Sequence, residues 1–125
     1  LRNIKESLEV IQESIQKGLQ ERQRNIVFNV SVASVEMLEV FLHKEGVINP
    51  GAIIKHEWFS SVRKAKDKLK FEFPEKDKII SLINAIEEKR NLLCYGKPQP
   101  TDTITSIIES FNKLKSIFEK LGVKV

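Results

Sequence analysis

Arg90 interrupts an apolar series. Ile79, Ile83, Ile86, Arg90 and Leu93 follow one another in steps of four, three, four and three, which is the spacing of one face of an α-helix. A guanidinium on such a face asks for a partner, because taking a charge out of water costs several kcal/mol unless it is paired and hydrogen-bonded. Its fork of donors suits a carboxylate, and donors left over from that pairing suit a phosphate. Upstream, Asn25, Asn29, Glu36 and His43 draw a polar line along an otherwise apolar segment. Glu36 on that line is the acid expected to tether Arg90 and to help form a substrate site. The other reading is a solvent-facing edge, since the polar face of a helix is usually wet.

The remaining chemistry-bearing residues are few. His56 stands just ahead of a short amphipathic segment, where capping or packing is its ordinary role, and His43 has an ordinary structural reading too. Two histidines and one cysteine, Cys94, without ligand spacing give no metal site, and no glycine-rich phosphate loop or serine-nucleophile motif is present, so no cofactor is expected. Arg63, Lys64, Lys66, Lys68 and Lys70 form a basic exterior beside Trp58 and Lys55, either a solvated face or a border that attracts phosphate.

Helices must position these groups. Ile4, Leu8, Ile11, Ile15 and Leu19 stripe a first helix opposite Lys5, Glu6, Glu9 and Lys17, with a break expected at Gly18. A second helix from about Glu21 to Lys44 is apolar almost all round, Phe28 included, and is therefore expected at the centre. Gly46, Pro50 and Gly51 open a loop to about Lys55, and Trp58, Val62, Ala65 and Leu69 mark a short helix. Phe71 and Phe73 alternate as in a strand but have no second strand to pair with, so they read as plugs of the core. A long helix runs from about Pro74 to Tyr95, ended by Gly96, Pro98 and Pro100. Thr101 is placed to cap a last helix striped by Ile104, Ile107, Ile108, Phe111, Leu114, Phe118 and Leu121. The expectation is an all-α antiparallel bundle of four long helices and one short one, a single domain over residues 1–125. With Leu1 at its start, the chain could be a fragment of a longer one.

Arg90-Asn91 followed by Tyr95-Gly96, after VFNVSVASVEMLEVFLHKEG and the loop histidine His56, resembles the HEPN domain (higher eukaryotes and prokaryotes nucleotide-binding) across nearly the whole chain. The resemblance implies a bundle of four or five helices, dimerised so that two arginine motifs converge, and in many members a metal-independent ribonuclease. Arg90 and Asn91 match the motif; Tyr95 stands where the family has histidine. Arg90, Asn91 and Tyr95 are then the candidate catalytic residues, with Lys97 and Glu36 as substrate contacts. The departure matters because 2′-hydroxyl attack on RNA needs a proton-transfer group. Histidine, near pKa 6.5, serves at neutral pH and tyrosine, near 10, does not, a loss of about 10²–10⁴ in rate.

Composition fits this class without demanding it. A net charge of +4 permits RNA or a nucleotide as partner. No apolar run approaches the roughly 20 residues of a membrane span, LRNIKESLEV has no apolar signal-peptide centre, and one cysteine allows no internal disulfide, so a cytoplasmic protein is expected. Two functions remain open: a dimeric RNA-binding protein with weak endoribonuclease activity, or a non-catalytic helical module partnering a small nucleotidyltransferase, as in toxin–antitoxin pairs.

Overall fold

The second helix of the sequence is the axis on which the others pack. In the computed structural model, which describes residues 2–17, 23–95 and 100–123, the chain forms α1 (Arg2–Lys17), α2 (Gln23–Lys44), a 3₁₀ turn (His56–Ser60), α3 (Val62–Lys68), α4 (Lys76–Tyr95) and α5 (Thr101–Lys120). The fold is all-α, a helical bundle with no strand among the described residues. Gly18 and Lys97 lie outside the described residues, as does the side chain of Tyr95, whose backbone ends α4.

α2 packs against α1, α4 and α5. Ile26, Val30, Ala33, Met37, Leu38, Phe41 and Leu42 are fully enclosed as a result. Contrary to the expectation that no apolar stretch approaches a membrane span, its 22 residues are long and apolar enough by composition to cross one. Contact with three neighbouring helices gives the same composition a role inside the protein. Phe28 departs from the expected core: it is half exposed, on the side of α2 that meets the end of α4. The stripes of α1 and α5 close on this axis through Ile4, Ile11, Ile104, Phe111, Leu114 and Phe118. Phe73 plugs the core as expected, its ring 6.4 Å from that of Phe41.

Two departures have local causes. The short helix expected from Trp58 is divided, because Ser61 is extended (φ −148°, ψ 155°) and caps α3 with its hydroxyl, which accepts from Lys64 N at 3.0 Å. Phe59 rather than Trp58 is the fully buried residue of the 3₁₀ turn. At α5, Pro100 takes the N-cap position and Thr101 is the first helical residue, so Thr101 is not the cap. The extended ψ of Pro100, 155°, is what makes the non-helical entry.

The loop after α2 is tied back along the helix. Gly46, at φ +69°, allows Gly46 N to donate to His43 O at 3.1 Å and Val47 N to Leu42 O at 2.9 Å, the glycine-dependent ending that satisfies the last carbonyls. His43 Nε2 then meets Ala52 O at 3.0 Å, and Ile54 N donates to Glu39 Oε2 at 2.9 Å. His43 is thus a loop anchor. Farther on, Asn84 of α4 donates to Phe59 O at 2.8 Å. His56 sits between these two attachments, held over α4.

Candidate functional site

Glu87 is the residue around which the site is built. It lies one turn before Arg90 on α4 and is only 3% exposed. Burying an ionised carboxylate requires several donors, and three elements supply them. Ser31, fully buried on α2, donates from Oγ to Oε1 of Glu87. His56 places Nδ1 2.9 Å from the same oxygen and 3.1 Å from Ser31 Oγ. Arg90 donates from Nη1 to the other oxygen, Oε2, at 3.2 Å. Burial alone pushes the Glu87 carboxyl up, but the hydrogen bonds from His56 and Ser31 and the charges of His56 and Arg90 outweigh it and hold the group below the ordinary glutamate range.

The hydrogen-bond pattern fixes the imidazole. An ionised carboxylate only accepts, so Nδ1 carries the proton toward Glu87 and Nε2 is the nitrogen available for exchange with a bound molecule. His56 is 34% and Arg90 28% exposed at the side chain, so both are held from behind while reaching solvent. They line one cleft of about 650 Å³ with Lys55, Glu57, Ser60 and the exposed Asn91. Arg90 also lies over the Phe28 ring, its guanidinium carbon 5.8 Å from the centroid. Its Nε is buried and has no hydrogen-bond partner among the described residues.

The sequence candidates divide accordingly. Arg90 and Asn91 reach the cleft. Glu36 does not tether Arg90: the acid beside Arg90 is Glu87, and Glu36 lines a separate groove with Glu6, Ser7, Val10, Phe28, Asn29 and Val32. The cause is angular, since Glu36 is five residues beyond Ser31, a rotation of about 140° around α2 from the side that faces Glu87. Glu87 and Ser31 were not singled out from the sequence. A carboxylate three residues before an inward arginine was the available signal. Among the described residues no group of three His, Cys, Asp or Glu side chains is placed to hold a metal ion.

The arrangement joins a fixed cation, which can neutralise charge on a phosphate, to an imidazole with one nitrogen held by a buried acid. No family model matches the chain, and no curated protein or solved structure matches it significantly.

Proposed function

We propose that this cleft binds the sugar–phosphate backbone of RNA, in a HEPN-like antiparallel bundle of four long helices that acts in the cytoplasm as a homodimer. Arg90 is the phosphate contact, Asn91 a polar group on the rim, and Lys55 adds positive charge beside them. One observation carries the reading: Arg90 is secured through Nη1 to a buried carboxylate while part of its side chain stays exposed in a cleft shared with Lys55 and Asn91, which leaves guanidinium donors for an anion. The Arg90-Asn91 motif agrees with it. Endoribonuclease activity, if carried by Tyr95 alone, would be weak.

The test is binding of labelled single-stranded RNA with a metal chelator present. Arg90→Ala should weaken binding about tenfold or more, as for a lost charge-assisted hydrogen bond, and should reduce the salt dependence by about one phosphate contact. Equal affinity of both proteins would remove the reading.

A second reading is supported by the half-exposed Phe28 and Leu92 and the exposed Val10. Exposed apolar side chains, Phe28 among them under the Arg90 guanidinium, suit a protein partner such as a nucleotidyltransferase, with Arg90 as an interface residue. That reading requires no Arg90-dependent affinity for RNA.

A further inference from the structure

We infer that His56 is the proton-transfer group of this cleft, taking the part that the sequence motif leaves to Tyr95, and that Glu87 is its positioning residue. The inference rests on the RNA reading and adds a reaction to it. Ser31 and Arg90 already satisfy one oxygen each of the buried carboxylate. His56 adds a further contact to that carboxylate, and the same contact has a second effect, which is to fix the imidazole. Both bonds end on one carboxylate, so imidazole and guanidinium stand side by side on the cleft wall. The attachments Ile54 N to Glu39 and Asn84 to Phe59 keep the His56 backbone in place on either side. A histidine whose Nδ1–H is held by a carboxylate offers Nε2 for general acid–base work.

In the reaction, Nε2 of His56 accepts the proton of a ribose 2′-hydroxyl. The 2′-oxygen forms a bond to the adjacent phosphorus, and Arg90 neutralises the charge that develops on the non-bridging oxygens. The bond from phosphorus to the 5′-oxygen breaks, and the imidazolium returns the proton to that leaving oxygen. The products are a 2′,3′-cyclic phosphate and a 5′-hydroxyl. Every atom and electron comes from the RNA, with no oxidant or water consumed.

The experiment uses the whole chain with total RNA and chelator, following binding, cleavage and the chemistry of the ends. His56→Gln keeps an N–H donor for Glu87 but cannot shuttle a proton, and circular dichroism verifies its fold. It should bind RNA within about twofold of wild type and cut about 10²–10⁴ times more slowly, the change falling in kcat and not KM. Glu87→Gln should lower kcat more than it raises KM, because Nδ1–H of His56 then loses its charged acceptor while Arg90, Lys55 and Glu57, the other charged groups of the cleft, are unchanged in that variant. Arg90-dependent binding without cleavage by wild type, or undiminished cleavage by His56→Gln, overturns the assignment and leaves the binding reading standing. Loss of Arg90-dependent binding in the first place overturns both.

Discussion

His56 Nδ1 and Glu87 Oε1 are 2.9 Å apart, a contact between a loop and a helix separated by 31 residues of sequence. It pins the connection between α2 and α3 to α4 at the one buried carboxylate of the described residues, so fold stability and cleft geometry depend on the same side chain.

Removing that carboxylate should be costly. Glu87→Ala strands Ser31 and leaves Arg90 without its acid, and breaking one side of a buried pair costs about 3–5 kcal/mol. Urea denaturation is the measurement. A loss under about 1 kcal/mol, the magnitude of an exposed pair, would mean that water reaches the cluster freely.

Acid should erode the same contribution. Because the folded Glu87 carboxyl is held below the ordinary value of 4.5, the stability it contributes is complete above that value and is lost as pH falls from there through the lower folded one. Glu87→Gln cannot titrate at this position. The stability difference between wild type and Glu87→Gln should therefore be widest near neutrality and narrow below pH 4.5 in paired urea melts. A pH-independent difference would assign the effect to packing.

Helical periodicity was enough to read the scaffold. The stripes of α1 and α5, the central place of α2 and the role of Phe73 follow from apolar spacing and from the lack of a partner strand, whereas the exposure of Phe28 does not. Arg90 was legible as an anomaly on the same grounds. Its partner was not, because Glu87 looks like any charged residue of a solvent-facing run, EEKR, until Ser31 and His56 close over it. Ser31 is equally silent: a small hydroxyl in an apolar helix ordinarily bonds its own backbone, as Ser34 does to Val30 O at 2.7 Å. Which side of α2 faces α4 is a tertiary fact, and that fact excludes Glu36 while admitting Ser31.

Assembly is open to a direct measurement. Val10 and Phe28 are exposed apolar residues in one groove, and the Phe28 ring continues to Arg90. A two-fold contact through this patch would bring two clefts together, as the proposed dimer requires. Light scattering should give twice the mass of the 14.4 kDa chain, with Val10→Glu shifting it toward monomer. A monomeric mass at high concentration would leave each cleft to act alone.

The choice between Glu36 and Glu87 as partner of Arg90 can be made energetically. Two double-mutant cycles share Arg90→Met, one combined with Glu87→Gln and the other with Glu36→Gln. Residues within one hydrogen-bond network show coupling energies of about 0.5–3 kcal/mol, whereas independent sites add to within about 0.5 kcal/mol. Glu87 and Arg90 are joined at 3.2 Å with Glu87 buried, so their cycle should couple by about 1 kcal/mol or more. Glu36 lines the other groove, whereas the acid bonded to Arg90 is Glu87, so the Glu36 cycle should be additive. A strong coupling in the Glu36 cycle, together with additivity in the Glu87 cycle, would return the tether to α2 and take Glu87 out of the site, and with it the means by which His56 is held beside Arg90.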